Sequence, residues 1–172
     1  MRTSVPVALA LFAASLVPAS AQQGDSASTV TLRVADPLGD RCYRHAAAAD
    51  TSARAMRVCD RAVAQAAERP RALYAALSNR GTVHYAAGRY AEAAGDFTLA
   101  LGAYRLTAVG LTNRGFAYEQ LGRDEPSWDE AARQDYRRAL ALDPGYEIAA
   151  VRLAELAKPR RERTPLARRV IV

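Results

Sequence analysis

Leu77-Ser78-Asn79-Arg80-Gly81 returns 34 residues later as Leu111-Thr112-Asn113-Arg114-Gly115. A period of that size is one supersecondary unit, and such a unit cannot bury its apolar face alone; it has to stack on its own copy. The first copy reads LSNRGTVHYAAGRYAEAAGDFTLAL. After a turn at Gly88 it places Tyr90, Ala93, Phe97, Ala100 and Leu101 at spacings of three and four, one apolar stripe of a helix. The second copy reads LTNRGFAYEQLGRDEPSWDEAARQDYRRALALDP. Composition fits the same picture: hydrophobic residues make up 50% of the chain but aromatic residues only 7%, so Ala and Leu carry the apolar content. Small side chains let helix backbones approach closely, and no strand-rich region is evident.

The period, with Gly and Tyr in one helix and Ala, an aromatic residue and Ala in the next, resembles the tetratricopeptide repeat family. The resemblance is close over Pro70 to Lys158 and loose over Arg41 to Arg69. It implies an all-α, right-handed superhelix of antiparallel hairpins with about seven helices. The expected units are a degenerate hairpin at 41–69, a repeat at 70–103, a second repeat at 104–144 and a capping helix at 145–158. Gly115 to Ala132 spans 17 residues where Gly81 to Ala93 spans 12, which places a five-residue insertion in the second A–B turn, around Arg123 to Trp128. Trp128 is expected to pack back on its hairpin, the alternative being an exposed anchor for a partner. His84 stands where the family usually has Tyr, so a packed histidine is expected there rather than a ligand or a catalyst. Asp124, Glu125, Asp129 and Glu130 lie near a helix N-terminus, where the macrodipole favours them.

Helix A residues of the family line a concave groove that holds a peptide or an extended segment of another protein. By repeat position the resemblance puts Ser78, Asn79, Thr82 and Tyr85 there from the first repeat, Thr112, Asn113, Phe116 and Glu119 from the second, and Arg152 from the cap. Some members grip a C-terminal carboxylate with Lys, Asn and Arg. Asn113 and Arg152 match two of those positions, but Ser78 and Ile148 occupy the Lys positions, so that clamp is incomplete.

Cys42 and Cys59 are the only cysteines. Helices over Arg41 to Ala49 and Ser52 to Arg69, folded back about an Asp50-Thr51 turn, would bring the two face to face. Ala46, Ala49, Ala53 and Ala55 permit the short approach that a disulfide requires. A zinc site of Cys42, His45 and Cys59 is the weaker alternative, since it lacks a fourth ligand.

The ends of the chain read differently from its middle. Met1-Arg2, the apolar run from Val5 to Val17 and Ala19-Ser20-Ala21 form a signal-peptide pattern over 1–21. It implies export to the periplasm or beyond, a compartment that permits disulfides. Residues 22–40 read as a flexible lead-in, with an extended stretch at Val30, Leu32 and Val34 closed by Pro37 and Gly39. The tail at 159–172, with Lys158 before it, brings Lys158, Arg160, Arg161, Arg163, Arg168 and Arg169 against the single acid Glu162. It is either a solvated run or a contact for an anionic partner such as phospholipid, lipopolysaccharide or an acidic protein.

Two functional classes follow. One is an exported, non-enzymatic adaptor that binds a protein or peptide segment, with envelope assembly as its setting. The other is an envelope-associated metal- or ligand-binding protein or enzyme accessory that uses the tail on an anionic surface. No nucleophile–base set, HExxH or phosphate loop supports catalysis, no cofactor is implied, and export argues against nucleic acid.

Overall fold

The computed structural model describes residues 36–166. They form seven α-helices: α1 Pro37–Ala47, α2 Ala53–Ala66, α3 Pro70–Ala86, α4 Tyr90–Ala103, α5 Ala108–Leu121, α6 Ser127–Leu142 and α7 Glu147–Ala157, followed by a 3-10 turn at Arg160–Glu162. No strand occurs among the described residues, so the all-α expectation holds. The signal-like 1–21 segment, Val30 to Val34, Arg168 and Arg169 lie outside the described residues. Among those described, no helix is long and apolar enough to cross a membrane.

α1 begins four residues earlier than Arg41, which corrects the lead-in at 37–40. Asp36 is its N-cap: Oδ1 accepts the Leu38 and Gly39 N–H groups at 2.9 and 3.3 Å. Pro37 then sits in the first turn, where a missing N–H costs nothing. The turn to α2 also differs in detail. Ala49 takes a positive φ of 50°, Asp50 Oδ1 accepts the Ser52 N–H, and Ser52 Oγ rather than Thr51 caps α2 through the Ala55 N–H.

The two helices of this first hairpin are joined by a Cys42–Cys59 disulfide with Cα atoms 4.7 Å apart. Buried Ala46, Ala55 and Ala62 surround it. Both sulfurs are thereby consumed, and His45 turns away to Asp50, its Nδ1 2.8 Å from Oδ2, so the zinc alternative loses all three of its ligands.

α3 is the shared wall of two apolar clusters. Ala72, Ala76 and Val83 face Cys42, Ala46, Cys59, Ala62 and Ala66 of the first hairpin. Tyr74, Leu77 and Tyr85 face the larger cluster, which runs through Phe97, Leu101, Leu111, Phe116 and Tyr136 to Leu156 of α7. The glycines of the repeat let helix B reach helix A. A Cβ on Gly81 would lie 2.9 Å from the Phe97 ring, and one on Gly115 would lie 2.5 Å from the Tyr136 ring. Gly88, at φ 76°, closes α3 in the left-handed conformation that glycine tolerates best.

The five extra residues of the second repeat are not all in its turn. The connection is 122–126 against 87–89, two residues longer; α5 runs one residue further past its glycine than α3, and α6 starts two residues earlier before Ala132 than α4 does before Ala93. Helical continuation satisfies backbone groups that a longer loop would leave to water.

Candidate functional site

The repeat carries a charged element inside it. In the first copy Arg80 donates Nε and Nη2 to Asp96 at 2.8 and 2.7 Å; in the second Arg114 donates the same two groups to Asp135, both at 2.7 Å. Each guanidinium also reaches the preceding helix B, Arg80 to Asp60 at 3.0 Å and Arg114 to Thr98 Oγ1 at 3.3 Å. Three helices are tied at each point. Hydrogen bonding to the carboxylates raises the pKa of both arginines further and locks their charge.

The surface carried over from the family is mostly closed. Asn79, Thr82, Tyr85, Thr112, Asn113, Phe116 and Arg152 are all buried, and only Ser78 and Glu119 are partly exposed. The reason is packing on the helix A side: α1 lies against α3, and α7 lies against α5. Thr82 Oγ1 donates to the Ser78 carbonyl at 3.0 Å, and the Tyr85 hydroxyl accepts Gln120 Nε2 at 3.2 Å. Burial pushes the Tyr85 phenol well up from its ordinary pKa, so it stays neutral. Ser78 Oγ and Thr112 Oγ1, one period apart, are buried with no hydrogen-bond partner among the described residues.

Glu119 and Arg152 form a buried ion pair that the Tyr136 hydroxyl joins, donating to Glu119 Oε2 at 3.0 Å. Arg152 has a second occupation. Its Nη1 and Nη2 donate to the carbonyl of Thr164 at 3.2 and 3.3 Å, while the Thr164 N–H donates to Glu155 Oε2 at 2.7 Å. A residue from the tail is thus held by both of its backbone polar groups. A hydrogen bond from Lys158, the larger influence, and one from the Thr164 N–H hold the Glu155 carboxyl below the usual carboxylate range.

Among the described residues, most of the tail's cations have a carboxylate partner within the chain. Arg160 Nη2 and Arg163 Nη1 both donate to Asp129 Oδ2, at 3.1 and 2.8 Å, and Lys158 pairs with Glu155. Arg163 also donates to the carbonyls of Lys158 and Leu156. Arg161 faces water, with only its neighbour Glu162 as partner. Leu166 packs against the main apolar cluster. Most residues of 158–166 face solvent, but these contacts hold the segment against α5, α6 and α7. Between this segment and the ends of α5 and α6 remains a cavity of about 260 Å³, lined by Glu119, Gln120, Arg123, Asp129, Arg163 and Leu166.

The two repeats differ in chemistry where the tail docks. Tyr85 and Tyr90 meet edge to face in the first repeat, ring centroids 5.2 Å apart. Aligned on glycine and alanine, their counterparts are Glu119 and Asp129. The second repeat thus offers carboxylates where the first closes with rings, and Arg152, Arg160 and Arg163 fill those places.

Trp128 packs back on its hairpin, stacked on Tyr118 at 5.3 Å, with Nε1 donating to Glu125. His84 is mostly buried 3.9 Å from Asp96, and its desolvation outweighs that carboxylate to keep its pKa low. Asp129 was expected only as a dipole partner. Its side chain proves to be the buried anchor of two arginines, a role signalled in the sequence only by its departure from Tyr90.

These features define an all-α protein of repeated helical hairpins, tied by an Arg–Asp bridge in each of its two clear repeats and holding an extended segment against its last helices. The chain matches no family model, no curated protein and no solved structure.

Proposed function

We propose that the chain is an exported, non-enzymatic adaptor of the tetratricopeptide type that binds an extended segment of another protein on its helix A side. The observation that carries this reading is the grip on Thr164: Arg152 takes the carbonyl and Glu155 the N–H of a residue outside any helix. Contacts to backbone groups read chain conformation rather than side-chain identity, which suits recognition of extended segments. The 34-residue register and the equivalent Gly–aromatic and Arg–Asp pairs support the repeat architecture, including its superhelical winding. The disulfide and the signal-like start support an oxidising compartment, the periplasm or outside.

Envelope assembly is the setting we infer, with a protein segment rather than a lipid surface as partner, because three of the described tail cations are already paired within the chain. The test is affinity capture from an envelope extract with the full chain and with Arg152→Lys, which keeps the charge beside Glu119 but loses the forked donor geometry. A stoichiometric protein captured by the first and lost by the second, with equal helicity, is the expected result. Retention of bound metal, turnover of an envelope substrate, or binding to anionic vesicles in place of protein would overturn the reading.

A further inference from the structure

Resting on the reading of this face as a segment-binding surface, the geometry points to what occupies it and what displaces the occupant. Three carboxylates converge at this end of the molecule: Glu119 of α5, Asp129 of α6 and Glu155 of α7. Arg152 satisfies the first. The others are satisfied from the tail, Asp129 by Arg163 and Arg160, and Glu155 by Lys158 and the Thr164 N–H. Without Arg163 to Leu166, Asp129 keeps only Arg160 and Glu155 keeps only Lys158, Arg152 loses the Thr164 carbonyl, Arg123 stays at the rim, and the apolar ground on which Leu166 rests is uncovered.

We propose that Asp129, Arg152 and Glu155 form a docking site for extended basic segments whose resting occupant is the chain's own Arg163 to Leu166, and that a partner segment of the same pattern, a basic residue followed three places on by an aliphatic one, binds by displacing it.

The spacing follows from the contacts. Arg163 enters Asp129, Thr164 is held by its backbone, and Leu166 returns to the apolar cluster. Pro165 stiffens the stretch and has no N–H to leave unpaired. Displacement is feasible because the occupant is imperfectly packed. An open pocket of about 260 Å³ lies beside it, and Thr164 and Pro165 are exposed, so the segment is only partly covered by the helices. Tethering works the other way: a segment joined through the short stretch from Lys158 acts at an effective concentration of about millimolar. A free segment limited to the same contacts competes poorly, so a productive partner must also use surface beyond 163–166.

The experiment uses the full chain and its Arg163→Ala/Leu166→Ala variant, whose changes lie outside every helix. Fluorescence anisotropy measures binding of a labelled synthetic peptide with the sequence of residues 158–172, against a scrambled peptide of identical composition as control for charge alone. The variant should bind the native-order peptide at least about tenfold more tightly than the unaltered chain does, and about tenfold more tightly than it binds the scrambled one. Equal affinity for the two proteins, or no preference over the scrambled peptide, overturns the proposal. Hydrogen exchange in the unaltered chain gives an independent reading: the Thr164 amide should be protected, and exchange at the free-peptide rate would equally overturn it. Neither measurement needs a foreign partner, so failure to capture one from the envelope leaves this result distinguishable.

Discussion

Arg114 holds Asp135 through Nε and Nη2, both at 2.7 Å, across the interface between helix A and helix B of its repeat. Asp135 is almost wholly buried, so removing the guanidinium strands a charge. Arg114→Ala should cost about 3 kcal/mol of stability. Replacing both residues by Leu should cost less than either single change, because no unpaired charge is then left inside. Urea unfolding of the three variants checks this, and a double variant as weak as the sum of the singles would contradict it.

Glycines of α5 and α4 should respond with opposite signs. Gly115→Ala drives a methyl group into the Tyr136 ring and should destabilise by about 1 to 3 kcal/mol. Gly95→Ala, in α4 with nothing within 4 Å, should stabilise by about 0.5 to 1 kcal/mol through lost unfolded-state freedom. Thermal melts of the two variants suffice.

The disulfide closes a separation of 17 residues, worth about 3 kcal/mol on the chain-entropy estimate. Thiol titration of denatured, unreduced protein should find no free thiol. Cys59→Ser should lower the Tm in oxidising buffer and make it insensitive to reductant.

His84 sets a pH dependence. Burial lowers its folded pKa beneath the unfolded value of about 6.5, so the unfolded chain takes up the proton first. Stability is therefore full above that value, falls as pH drops through it, and stops changing on this account below the folded pKa. Between pH 7 and 5 the Tm of His84→Gln should fall less than that of the unaltered protein; parallel curves would remove His84 as the cause.

Asn79 and Asn113 were expected on an open groove, and both are buried. Substitution by Ala should therefore act on the fold, lowering stability by about 1 kcal/mol each. The folded fraction should keep its partner affinity. A loss of affinity at unchanged Tm would return them to the binding surface.

The repeat architecture was legible because its causes are periodic. Gly81 with Phe97 and Gly115 with Tyr136 are local packing requirements that recur with the helix pair. The Arg–Asp bridges were equally periodic and went unread: Arg80 and Arg114 both precede the glycine, and Asp96 and Asp135 both precede the aromatic residue. Asp36-Pro37 looked like the end of an extended stretch, yet cap and first-turn proline are also how a helix begins. The docking of the tail had no periodic signal. It depends on Arg163 meeting Asp129 across 34 residues of chain, a match of shape and charge that appears only once α6 and α7 are packed.

The exchange of Tyr85 and Tyr90 for Glu119 and Asp129 has a bearing on how such an array can grow. A duplicated first repeat would bring its own rings and close itself on any neighbour. A duplicated second repeat would bring two more carboxylates, while Arg152 of α7 and Arg160 and Arg163 of the tail are already spent on the original pair. Lengthening by gene duplication is thus tolerable from one kind of unit and self-defeating from the other, which gives the molecule a growing side and a finished side.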